Sequence, residues 1–168
     1  MALRSLRYEP DVILTKKCRC VQEINDNIIL LVEDMHDTMK YYSGVGLAAP
    51  QVGMLKRIIT IDDEDDKFDM INPEIIAAEG IQTGEEACLS VPRIMGTVER
   101  PDKITVRYTN LSGDTQTISA DGRLAVIIAH EIDHLDGILY RNRALPGSIR
   151  ENKNEDGEVT KKRRKPKQ

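Results

Sequence analysis

The spacing of apolar positions changes several times along this chain. Ile24, Ile28, Leu31, Val32, Met35, Met39 and Tyr42 recur at helical intervals, with Glu23, Asp26, Glu33, Asp34, Asp37 and Lys40 between them. This predicts an amphipathic helix over residues 24–42 that ends near Ser43-Gly44, a C-cap signal. His36 lies off the apolar stripe and reads as a solvated residue of the polar face. Beyond residue 56 the period shortens. Residues 57–62, 70–72 and 74–79 read as short strands, and residues 103–109 alternate as a strand. Leu111-Ser112-Gly113-Asp114 marks a hairpin turn, after which residues 116–120 return. Asp121-Gly122 then opens a stretch, Leu124-Ala125-Val126-Ile127-Ile128-Ala129, that is apolar at every position and continues through Ile132, Leu135, Ile138 and Leu139. A helix apolar on nearly every side is a buried one.

These elements predict an α+β domain: short, mostly antiparallel strands around a buried helix. At 168 residues the chain is long enough for one domain with a substantial core. We assign residues 1–150 to that domain, with residues 1–22 as an irregular arm. Residues 151–168 form a polar and basic tail, Lys161-Lys162-Arg163-Arg164-Lys165-Pro166-Lys167, expected to be disordered from about residue 150. The net charge of −4 gives no general reason to bind polyanions. The acidic run Asp62-Asp63-Glu64-Asp65-Asp66 reads as an exposed turn. There is no apolar run long enough for a bilayer and no apolar segment after Arg4 and Arg7, so neither a membrane span nor a signal peptide is expected. Three cysteines, an odd number, favour reduced thiols and a cytoplasmic protein. Cys18 and Cys20, among Lys16, Lys17 and Arg19, read as structural or surface thiols, since those cations would repel a metal.

The buried helix carries the chemistry. His130 and His134 are two of only three histidines, and Glu131 directly follows the first. Residues four apart share a helix face, so both imidazoles can reach one metal ion, with Glu131 beside them to take a proton from a metal-bound water. Two histidines, a glutamate and an aspartate inside an apolar helix are costly unless something pairs them. Satisfied core histidines are the plainer alternative, and a third ligand would decide against it. The loop Gly44-Val45-Gly46-Leu47-Ala48-Ala49-Pro50-Gln51-Val52-Gly53 holds one polar side chain, Gln51. By spacing alone it is equally a tight connector or a wall where backbone meets a ligand, and it matches no phosphate-binding loop. Cys88 by itself would be a small buried hydrophobe.

Three segments together, Gly44-Val45-Gly46-Leu47-Ala48-Ala49-Pro50-Gln51, Glu86-Ala87-Cys88-Leu89-Ser90 and His130-Glu131-Ile132-Asp133-His134, resemble the motifs of the peptide deformylase family, in that family's order. The resemblance runs from about Tyr8 to Tyr140, and Ala87 stands where the family carries glycine. It implies that Cys88, His130 and His134 bind one divalent metal, Fe²⁺ foremost, with Zn²⁺, Ni²⁺ or Co²⁺ as substitutes. Two His and one Cys leave a fourth position open, which is a catalytic arrangement. It implies Glu131 as general base, with the Gln51 side-chain amide and the Leu89 backbone N–H as donors to an oxyanion. Substrate contacts fall to Val45, Gly46, Val126, Ile127 and Glu86, with Arg123 at the rim. Glu86 is also assigned, with Arg107 and Asp133, to an ion-pair network that orients the ligands. The implied substrates are N-formylmethionyl nascent peptides, and the implied products are formate and a free amino-terminal Met. A monomer is expected, and the basic tail is a candidate contact to ribosomal RNA against the plainer reading of a solvated terminus. Two rival readings remain, an H-E-x-x-H metallopeptidase cutting internal bonds and a non-catalytic binding module. The Cys ligand and the Gln51 loop weigh against the first, and retention of Glu131 against the second.

Overall fold

The structure, a computed structural model, describes residues 2–153. After an irregular arm, α1 (Asp26–Tyr41) leads into β1 (Gly46–Ala48), then β2 (Ile58–Asp63) and β3 (Asp66–Glu79). A hairpin follows, β4 (Gln82–Cys88) with β5 (Val91–Arg100), and then a second, β6 (Lys103–Thr109) with β7 (Thr115–Asp121). The chain closes with α2 (Gly122–Leu135), the short α3 (Tyr140–Arg143) and β8 (Arg150–Glu151). One antiparallel sheet has the order β1-β2-β3-β6-β7, and a smaller one the order β4-β5-β8. No helix among the described residues is long and apolar enough to cross a membrane.

Alternation along β2 separates two cores. Ile59 and Ile61 join Met70, Ile104, Val106, Ala125, Ile128, Ile132 and Leu135 under α2. Ile58, on the opposite face, joins Leu47 and Ile71 against Ile28, Leu31, Val32, Met35 and Met39 of α1. Successive strand side chains point to opposite faces, so α1 and α2 cover opposite faces of the larger sheet. A third cluster of Leu14, Cys88, Val91, Val98, Leu139 and Tyr140 fixes the β4–β5 hairpin to the far end of α2. This is the α+β architecture expected, with a buried helix at its centre.

Several boundaries differ from the sequence reading. The α1 helix starts at Asp26 because Asn25 caps it, its side-chain oxygen accepting from the Ile28 N–H at 3.1 Å. At its other end the left-handed residue is Ser43, φ 57°, and not Gly44. Residues 70–72 and 74–79 belong to one strand, β3, which bulges between Ile71 and Glu74. Pro73 sits at that bulge, where its missing N–H removes no ladder bond. His36 is not solvated: its side chain is only 13% exposed and its Nε2 pairs with Asp69 of β3. Chain order does not stop at residue 150, because β8 pairs with Ile94 and Met95 of β5 and Asn152 is buried. The basic run 161–167 lies outside the described residues.

The arm has a definite job. Its backbone amides donate to carbonyls in two motif segments and directly after the third: Arg7 to Gln51 at 2.8 Å, Glu9 to Ser90 at 2.9 Å, and Cys18 to Leu135 at 2.8 Å.

Candidate metal centre and active site

The ligating atoms of Cys88, His130 and His134 lie within 4.8 Å of one another. Two elements bring them together. Cys88 ends β4, while His130 and His134 are one turn apart on α2. The Cys88 Sγ is 3.3 Å from His134 Nε2. A tetrahedral ion with bonds of roughly 2.0–2.3 Å holds its ligand atoms about 3.5 Å apart. The three groups therefore suit a metal. The His130 Nδ1 donates to Glu86 Oε1 at 2.8 Å, which leaves Nε2 to face the centre.

Charge around this cluster follows from burial and neighbours. Burial raises the Glu131 carboxyl to about 7, against a lowering by the charge on His130. Burial lowers His134 well below the usual histidine range, with the charges of His130 and Arg100 adding to the effect. For His130, burial opposes protonation, but hydrogen bonds to Cys88 and Glu86 outweigh it and raise the value. The Glu131 Oε2 and His134 Nδ1 atoms are buried without a hydrogen-bond partner among the described residues. Such atoms are rare in folded proteins, and here two lie beside the three ligating groups.

A cavity of about 300 Å³ opens onto the cluster. Val45, Gly46, Gln51, Glu86, Cys88, Leu89, Val126, Ile127, His130 and Glu131 all line it, with Arg123 and Glu85 towards solvent. Every ligand, catalytic and substrate-contact residue predicted from the sequence is thus on this wall except His134, which lies behind it, 1% exposed. Gly46 is needed for space: a Cβ there would lie 2.7 Å from Glu131 Oε1. The Gln51 side chain is held at both ends. Its oxygen accepts from the Ala48 N–H at 2.9 Å, and its Nε2 donates to Ser90 Oγ at 3.1 Å and lies 3.5 Å from Cys88 Sγ. Ser90, fully buried, was inside a recognised segment but had been given no role.

The ion-pair network differs from the one expected. Arg107 is exposed and pairs with Glu74. The cation is Arg100, only 4% exposed, whose Nε and Nη2 both reach Glu86 at 2.9 Å while Nη1 reaches Asp133. Burial pushes the Glu86 carboxyl up, but hydrogen bonds from His130 and Arg100 prevail and hold it at about 2. The Glu86 carboxylate, on the cavity lining, is thus engaged by both Arg100 and His130. Alternation itself carried the signal: Ile104, Val106 and Tyr108 point inward on β6, which turns Arg107 outward.

A buried His₂Cys group, an adjacent carboxyl and an open cavity define a metal-dependent hydrolase. The family model described as "Polypeptide deformylase" matches residues 3–149. A peptide deformylase of Finegoldia magna is 51% identical over 148 residues, covering 86% of this chain and 91% of that protein. The peptide deformylase of Thermotoga maritima superposes with a TM-score of 0.85 at 36% identity, covering 87% of this chain and all of that one. A Met-Ala-Ser-bound peptide deformylase of Acinetobacter baumannii superposes at 0.82 with 34% identity, covering 84% and 98%. The chain belongs to the polypeptide deformylase family, metal-dependent enzymes that remove the N-formyl group from nascent peptides. The metallopeptidase alternative is not favoured.

Proposed function

We propose that this chain hydrolyses the formyl group of N-formylmethionyl nascent peptides, giving formate and a free amino-terminal Met. Cys88, His130 and His134 hold one divalent metal, Fe²⁺ foremost, with Zn²⁺, Ni²⁺ or Co²⁺ able to occupy the same ligands. The observation that carries this reading is the meeting of those three groups, with Cys88, His130, Glu131 and Gln51 on one cavity wall and His134 directly behind it. When bound, the metal supplies Lewis acidity and a water of lowered pKa. Glu131, with one buried oxygen free, accepts the proton released there and returns it to the departing amine.

The Gln51 Nε2, aimed at Cys88 and Ser90, and the Leu89 backbone N–H donate to the developing oxyanion. A donor of this kind is commonly worth about 3–4 kcal/mol of barrier. Val45, Val126 and Ile127 wall an apolar pocket for the Met side chain, and the Gly46 backbone pairs with the peptide. The Met-Ala-Ser tripeptide bound by the Acinetobacter relative, a deformylated product in form, supports this substrate class. The enzyme acts as a monomer in the cytoplasm, where formylated chains begin, and the basic tail is a candidate ribosomal RNA contact.

The test is formate release from a formyl-Met tripeptide by the wild type, Glu131→Ala and Cys88→Ala. Formate is expected from the wild type alone. Peptide fragments in place of formate would overturn the substrate assignment, and undiminished activity in Glu131→Ala would overturn the mechanism.

A further inference from the structure

Beyond His134 the chain passes Gly137 and forms α3, a single turn that touches His130 by two routes. The first is direct. The Tyr140 ring, 1% exposed, stacks on the His130 imidazole with centroids 6.0 Å apart and planes inclined by 20°. Its hydroxyl donates to the Ile94 carbonyl of β5 at 3.1 Å, so the ring is held at both ends. The second route is a relay of ions. The Arg143 Nε and Nη2 clamp the Asp133 carboxylate at 2.6 and 2.9 Å. Asp133 accepts from Arg100, Arg100 grips Glu86, and Glu86 accepts from His130 Nδ1.

Charge counting gives Arg143 its part. Arg100 serves two buried carboxylates, Glu86 and Asp133. With Arg143 present there are two cations for two anions. Without it, both carboxylates compete for one guanidinium, and the bidentate grip on Glu86 loosens. Glu86 then holds the His130 ring less firmly. The Arg143 side chain is 45% exposed, so it can be replaced without opening the core.

We propose that Tyr140 and Arg143 are positioning residues for His130, Tyr140 setting the plane of the imidazole and Arg143 freeing Arg100 to hold Glu86 on Nδ1. The proposal rests on the metal assignment to Cys88, His130 and His134. It adds that the short helix after the ligand motif tunes that ligand from behind.

The test uses the Co²⁺-loaded protein, read by chelator competition, by its ligand-field absorption and by kinetics. Arg143→Gln and Tyr140→Leu are expected to weaken Co²⁺ binding about tenfold, to shift the absorption band, and to lower kcat at unchanged KM. Arg143→Lys restores part of the affinity, and Tyr140→Phe, which keeps the ring, retains the wild-type band. Arg141→Gln, which breaks only an exposed pair with Glu9, leaves all three readings alone. Wild-type affinity and absorption in both Arg143→Gln and Tyr140→Leu would overturn the proposal. So would losses that merely follow the melting temperature of the metal-free variants. A wild type that binds no Co²⁺ through a thiolate would overturn the metal assignment and this inference with it. Wild-type binding with indifferent variants would overturn this inference alone.

Discussion

The two long helices lie on opposite faces of one sheet and use burial differently. On α1 the buried stripe is mainly apolar, and its buried polar members Asp34 and Thr38 are both paired. Asp34 pairs with Arg4 at 3.0 Å, and the Thr38 hydroxyl donates to the Asp34 carbonyl at 2.7 Å. On α2, buried Asp133 and His134 reach Arg100 and Cys88 of the β4–β5 hairpin, while Glu131 Oε2 and His134 Nδ1 lack a partner among the described residues. His36 Nδ1 on α1 is also without a partner, yet it has no group of ligating side chains around it. Clustering is therefore the telling feature. Unmatched polar atoms that gather at ligating groups beside a cavity mark where a ligand completes the structure.

The contrast can be broken most sharply at Glu131. Glu131→Gln should lower kcat about 10³-fold while the melting temperature holds or rises, because removing the ionisable group relieves the burial that lifts its pKa to about 7. A fall in stability matching the fall in rate would make Glu131 a structural residue like those of α1. Next is Arg100→Met, which leaves buried Glu86 without its bidentate cation and Asp133 to Arg143 alone, and should cost about 3–5 kcal/mol in denaturant unfolding. On the other face, Met39→Ala should cost about 3 kcal/mol through a cavity, with kcat per folded molecule unchanged.

Acid probes the rear of α2 with a comparable effect. Glu86 binds fewer protons folded than unfolded between its ordinary value of 4.5 and its folded value of about 2. Its contribution is therefore complete above pH 4.5 and is lost as pH falls through about 2, a decline of about 3 kcal/mol. Urea titrations from pH 5 to pH 2.5 should show this slope, and Glu86→Gln should flatten it. The smallest effect is Asn25→Ala, about 1 kcal/mol of unfolding free energy from the lost cap, with no change in metal uptake.

Periodic segments were readable in advance. The α1 stripe, the β6–β7 hairpin and the unbroken apolar run of α2 each show their period in the residues themselves. The β4–β5 hairpin did not, because Gln82-Thr83-Gly84-Glu85-Glu86 offers no apolar alternation and β5 contains Pro92 and Gly96. Its strands form because Val91, Val98 and Cys88 pack on Leu14 and Leu139, contacts remote in sequence. The cavity-lining residues were legible through motif resemblance. Arg100 was not, since its place beside Glu86 depends on the register between β4 and β5, which the residues there do not display. His36 shows the same limit: its partner, Asp69, lies on another element.

The arm that donates to Gln51, Ser90 and Leu135 has a consequence for the order of events at synthesis. It is made before the elements it holds, yet the last of these three backbone anchors is Leu135, one residue past the second histidine. Such non-local pairing is slow to form and comes late. A protein whose substrates are unfinished chains must therefore itself be made past Leu135 before its site closes. The early-made arm waits as a latch, and the helix bearing the chemistry is what it latches onto.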